Sequence, residues 1–233
     1  LPSKVSFRFP DFTMTWIGFH SVLMLCFVHL LLSKSTEEKV DPEEPFEEDE
    51  RYFCHQYARE AVNITGKIYV IVQNFNSSLP PLCDSAERVA QVNDSTYIFT
   101  LAAVIPLLRT HIVKFNTTLV LSKTGKHKED NAMTYKYETT QPPKLRKLMY
   151  LSPDKNCMIF VDERNKTDRA RCQLLMPAKF ANSTIPSDCR DVYNNNCPGE
   201  NLTVYQPWCD GLPEITVETL KKLMNSTPPS QVC

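Results

Sequence analysis

The sequence predicts an all-β fold: an eight-stranded antiparallel barrel, flanked by an N-terminal helix and a C-terminal helix and stapled by disulfides. Three observations carry this reading. Runs of β-branched and aromatic residues of hairpin length recur through the middle of the chain, separated by clusters of turn formers such as SKTGKHKED, TQPPK, SPDKN and RNKTD. The apolar period changes from helical to strand-like after Gly66. The cysteines that follow a secretory-type leader are even in number. A sandwich would give a similar pattern. The barrel is preferred because the strands follow one another without a Greek-key crossover.

The elements follow in chain order. Ile17 to Leu32 is apolar, but it is short and interrupted by Gly18, His20, Ser21 and His29, which suits a signal peptide better than a membrane span. Residues 1–34 are therefore expected to comprise upstream residues and a signal peptide starting at Met14, with cleavage near Ser33–Ser35. A signal anchor is the alternative. Residues 35–44 form an acidic leader, residues 45–210 the barrel domain and residues 211–233 a C-terminal extension.

Within the domain, Pro45 to Val62 predicts a helix with Phe46, Phe53, Tyr57 and Val62 near one face. Strands are predicted at 67–75, 95–106, 110–122, 132–140, 144–151, 156–163 and 170–176, with SSLPPLCDS as a loop. A helix at 186–197, a short strand at 203–209 and a last helix at 213–225 complete the pattern.

Composition narrows the function. The 233-residue chain has 26 basic and 27 acidic residues, and setting aside Lys4, Arg8, Lys34 and Asp11 of the leader leaves a net charge of −3. That balance does not suit a nucleic-acid partner. Nine cysteines less Cys26 of the leader leave eight, none spaced as CxxC, and His55, His111 and His127 lie far apart. A disulfide framework is expected, with no metal and no cofactor. Sequons at Asn63, Asn76, Asn93, Asn116, Asn165, Asn182, Asn201 and Asn225 point to a glycosylated, secreted, extracellular protein. With no HExxH and no GxSxG, an enzyme is not expected.

Alternation along the strands assigns an interior. Met133, Tyr135 and Tyr137 share one face, and His111, Val113 and Phe115 another, with Ile112, Lys114 and Asn116 turned outward. Tyr97 and Phe99 share a face of their strand, and Tyr69 sits in the first strand. Tyrosines with polar tips suit an apolar cavity with a few placed hydrogen bonds.

The stretches YVIVQN…PPLC, KLMYLSPDKNC and ARCQLL…IPSDCRDVYNNNC…VYQPWC together resemble the tick salivary lipocalins of the histamine-binding family, from about Glu44 to Asp210. The resemblance implies a barrel with a closed interior pocket and bridges Cys83–Cys209 and Cys157–Cys189. Cys54, Cys172, Cys197 and Cys233 remain with three pairings open, and Cys54 is expected to join Cys172 or Cys197.

Amine-binding members of that family show Cys–Asp–aliphatic, then Glu–Leu–Trp/Tyr before a later Cys. Here Met158 stands for the Asp, Gln173 for the Glu and Leu175 for the aromatic. A buried ammonium needs carboxylate partners, so the frame is kept without its amine chemistry.

The expectation is a secreted, monomeric lipocalin, without stable membrane association, that sequesters a small host mediator. A leukotriene or fatty acid is favoured over a histamine- or serotonin-like amine. Arg146 or Arg171 would meet the head group, beside Gln173, and Tyr135, Tyr137, Phe115 and Phe99 would lie along the tail. The alternative is a protein-binding inhibitor of complement, platelets or coagulation that acts through the barrel exterior.

Overall fold

The computed structural model describes residues 44–77, 82–106 and 108–226. The signal-peptide region, most of the acidic leader, Cys26 and Cys233 lie outside these residues.

Eight antiparallel strands close into a barrel. They are β1 (Lys67–Gln73), β2 (Ser85–Gln91), β3 (Thr96–Ile105), β4 (Leu108–Ser122), β5 (Ala132–Tyr135), β6 (Lys144–Leu151), β7 (Met158–Asp162) and β8 (Cys172–Pro177). Each pairs with the next. β1 also pairs with β8, with Tyr69 opposite Met176 and Gln73 opposite Gln173, which closes the ring. The ring pairs its own strands along both sides except at the first part of β4, which β5 does not reach.

Three layers of side chains explain the patterning. Ile68, Val70, Phe99, Leu119, Met133, Leu148, Met158, Phe160 and Leu175 form the inner core. Outside β6–β8, a second cluster lies beneath helix α2 (Ser187–Asn196), from Met149, Ile159, Val161, Leu174 and Met176 to Tyr193. This is why β7 and β8 read as continuous apolar runs: both faces are covered. The bridges Cys157–Cys189 and Cys172–Cys197 tie α2 to β7 and β8. A third cluster joins Tyr69, Cys83, Val104 and Ile112 to Tyr205 and Cys209 of the C-terminal segment. Among the described residues no helix is long and apolar enough to cross a membrane.

The N-terminal segment is not the single helix expected for Pro45–Val62. Short 3-10 turns at Phe46–Glu48 and Glu50–His55 precede a five-residue helix α1 (Ala58–Val62). Asp49 breaks the run: its backbone is extended, and its carboxylate caps the second turn by accepting from Arg51 N at 3.0 Å. The segment wraps one end of the barrel, where Ala58, Ala61 and Val62 join the inner core. Gln56 fastens it, with Nε2 donating to the carbonyls of Phe46 (2.9 Å) and Met149 (3.2 Å). Glu48 meets Lys147 at 2.7 Å, and Glu47 meets Arg164 at 2.7 Å.

Three further differences concern strands. β2 lies where no strand was expected, because SAERVAQ offers only two alanines and a valine as apolar residues. β5 ends at Tyr135, so Tyr137 sits in the segment after it. Near the C-terminus, the expected strand at 203–209 is reduced to the two-residue β9 (Leu202–Thr203) and a 3-10 turn at Pro207–Gly211. The expected last helix begins with a strand, β10 (Glu214–Thr216), which pairs parallel to β4 at Ile112–Lys114 before helix α3 (Val217–Ser226).

Candidate ligand-binding cavity

With α1 filling one end, the space inside the barrel lies toward the other. A cavity of about 270 Å³ is bounded by the ends of β3 and β4, the start of β2, and the 137–140 segment. An apolar recess of about 50 Å³ continues toward α1, lined by Phe99, Leu119, Met133, Met158 and Phe160, and shares Ala86, Leu101, Tyr135 and Leu175 with the larger space.

One wall is polar. Gln173 is buried on β8, and its amide is used from both ends. Nε2 donates to Gln73 Oε1 (2.8 Å) and to the Tyr137 hydroxyl (2.8 Å), while Oε1 accepts from Arg146 Nη1 at 2.6 Å. Arg146, on β6 and only 4% exposed, also donates from Nη1 to the Tyr135 hydroxyl (3.2 Å) and from Nε to Asp162 (3.0 Å). Its Nη2 is buried and has no hydrogen-bond partner among the described residues. Asp162 is shared, since Arg171 Nε reaches its other oxygen at 3.1 Å. Two guanidinium groups therefore share one carboxylate.

The opposite end of this network is acidic. The Tyr137 hydroxyl donates to Asp84 Oδ2 at 3.0 Å. Burial pushes the Asp84 carboxyl up to about 6, against the hydrogen bonds from Tyr137 and the Leu82 backbone. Burial and the neighbouring Asp84 charge likewise push the Tyr137 hydroxyl well above its ordinary value, so it stays a neutral donor.

The structure sorts the candidate residues. Phe115, Tyr135, Tyr137, Arg146 and Gln173 line the main cavity, and Phe99 lines the recess. Tyr97 is buried in the inner core near α1. Three residues are elsewhere. Tyr69 points outward from β1 beneath the C-terminal segment, with its ring tilted against Tyr205 and its hydroxyl donating to Asp210 at 2.6 Å. His111 lies outside the cavity lining and hydrogen-bonds Thr110 at 3.0 Å. Its neighbour Ile112, expected to face water, is buried because the C-terminal segment covers that face with Tyr205, Cys209 and Leu212. Arg171 is held outside the main cavity by Asp162 and by stacking 4.3 Å from the Phe75 ring.

Asp84 was missed. Its segment reads as a loop, and nothing in the spacing shows that this loop borders the interior.

Cys83–Cys209 and Cys157–Cys189 are bonded. The expected partnership of Cys54 with Cys172 or Cys197 is corrected: those two bond each other, and Cys54 is exposed and unbonded among the described residues. Cys189 within α2 and Cys197 just past its end lie over adjacent strands, next to Cys157 and Cys172. All eight sequon asparagines are exposed.

A closed eight-stranded antiparallel barrel with an interior cavity is the lipocalin architecture, a ligand-binding fold. Within that class, the sequence model described as tick histamine binding protein matches residues 46–211, and the chain belongs to that family. No curated protein sequence matches it significantly.

Solved structures similar to it include AM182 in complex with serotonin, at 13% identity over 74% of this chain and 98% of that one, with a TM-score of 0.50. Insecticyanin from the tobacco hornworm Manduca sexta is 10% identical over 70% of this chain and 89% of its own (TM-score 0.49). Japanin from Rhipicephalus appendiculatus, bound to cholesterol, is 16% identical over 62% and 93% (TM-score 0.43).

Proposed function

We propose that this protein is a secreted salivary lipocalin that sequesters a small anionic amphiphile of the host, a leukotriene-like or fatty-acid mediator, in preference to histamine. The observation that carries the reading is Arg146: a guanidinium in the cavity wall, always charged, with Nη2 lacking an acceptor among the described residues. A carboxylate head group at Arg146 would supply that acceptor, and an acyl tail would follow the recess past Phe99, Met133 and Met158.

An amine meets no carboxylate at 158 or 173. Losing charge-assisted contacts of ~1.5–3 kcal/mol each weakens its binding there by orders of magnitude. Sequestration then works by mass action, with a monomer in excess of its ligand.

Calorimetry with a fatty acid and with histamine tests the reading, on wild type and on Arg146→Gln. The fatty acid should bind the wild type and lose at least tenfold in the variant. Tight histamine binding with no detectable fatty-acid binding would overturn the proposal. Secretion has its own test. Expression from Met14 in an insect secretory host should release protein that begins near Ser33–Thr36 and loses mass on glycosidase treatment.

A further inference from the structure

Asp84 is a carboxylate inside a ligand cavity, and nothing in the Arg146 reading uses it. The segment that carries it is fixed on both sides. Val70 N donates to the Asp84 carbonyl at 2.9 Å, Val104 N to the Leu82 carbonyl at 2.9 Å, and Cys83 N to the Val204 carbonyl at 2.9 Å. Cys83 is also bonded to Cys209. The carboxyl group is therefore a placed feature of the cavity wall rather than a side chain on a free loop.

Among the described residues, no Lys, Arg or His lies within ion-pair distance of Asp84. Its side-chain partner is the neutral Tyr137 hydroxyl. The titratable and charged groups that share the cavity with it are Tyr135, Tyr137 and Glu138, from β5 and the segment after it, and Arg146 from β6. β1, β3, β4, β8 and the first residue of α3 contribute uncharged side chains.

Asp84 and Arg146 are also linked. Tyr137 joins Asp84 to the Gln173 amide, and the amide joins Arg146, so three hydrogen bonds and one amide group span the two charges. The wall thus presents an acceptor for a cation and a donor for an anion at a fixed separation. Asp84 is held by a neutral hydroxyl, and Arg146 shares its one carboxylate partner, Asp162, with Arg171.

We propose that Asp84 is a second anchor of the cavity, and that the preferred ligand carries an ammonium group for Asp84 as well as an anionic group for Arg146. This rests on the reading of Arg146 as the anion site and narrows the ligand class from an anionic to a dipolar molecule. A desolvated carboxylate without a counter-ion is costly, and a ligand ammonium removes that cost through a charge-assisted hydrogen bond. The ionised form is the one that binds. Because the free Asp84 carboxyl titrates near 6, the ammonium contribution is present at pH 7 and fades as the pH falls below that value.

Calorimetry with ω-amino acids of increasing chain length, each against the unsubstituted fatty acid of the same length, tests the proposal. In the wild type at pH 7, the amino acid should bind about tenfold or more tightly than its fatty-acid partner at one intermediate length. That advantage should disappear by pH 5 and be absent in Asp84→Asn at any pH, while the fatty acid itself still binds the variant. Equal affinities across every matched pair, or an advantage undiminished in Asp84→Asn, would overturn it. Should the variant fail to fold, the wild-type pH profile decides, and an advantage independent of pH would refute it. Fatty acids that bind the wild type and Arg146→Gln equally would instead remove the Arg146 reading, a distinct result.

Discussion

At the scale of single residues, position 173 shows why an amide rather than an acid sits in the polar wall. A carboxylate there would accept from Arg146, but it could donate neither to Gln73 nor to Tyr137, and both now receive a hydrogen bond from Nε2. Gln173→Glu should therefore pair with Arg146 and neutralise the charge offered to a ligand. Fatty-acid affinity should fall tenfold or more by calorimetry, and unchanged affinity would contradict the role given to Arg146. Much of this wall was legible in the sequence. The family frame singled out Gln173, and strand alternation put Phe115 and Tyr135 on faces that line the cavity, because it reports which side chains share a face. It does not report what covers the other face. Tyr69 was taken for a cavity residue because a buried tyrosine beneath Tyr205 and Asp210 has the same sequence pattern as one inside the barrel.

At the scale of elements, apolar strands were legible and segments held by specific contacts were not. β2 has little apolar content and is fixed by its neighbours β1 and β3. The N-terminal turns follow the barrel end through Gln56 and Glu48, and those contacts have no period. β10 is the clearest case. Glu214 reaches Lys67 of β1 and Lys114 of β4, at 2.7 Å each, and fastens the C-terminal segment across two strands. Hydrogen bonds from Lys114 and Lys67 hold its carboxyl below the usual value. A depressed acid stabilises above its unfolded-state pKa, about 4.3, and loses that contribution as the pH falls through the lower folded-state value. Hydrogen exchange at Ile112–Lys114 should therefore accelerate as the pH is lowered through that range, after correction for intrinsic rates. Glu214→Gln should produce the same acceleration at neutral pH, and full protection in that variant would contradict the clamp.

At the scale of the whole molecule, three bridges divide the labour of holding the barrel. Cys83–Cys209 closes 126 residues of sequence, against 32 for Cys157–Cys189 and 25 for Cys172–Cys197. Loop-closure entropy gives the first about 5 kcal/mol and each of the others about 3.5 kcal/mol. Replacing both cysteines of the long bridge by alanine should lower the melting temperature more than replacing either short pair, by about 3–5 °C. Equal losses would show that local packing of α2, and not chain connectivity, sets the contribution. The position of β10 has a further consequence for handling the protein. The family match ends at residue 211, so a chain trimmed there would lose the strand that pairs with Ile112–Lys114. That stretch of β4 pairs on its other side with β3, while β5 begins its pairing only at Val120. Trimming would bare a row of unpaired amides and carbonyls next to the cavity mouth. An exposed edge of this kind recruits strands from other chains, so the shortened protein should self-associate at concentrations where the full chain stays dispersed.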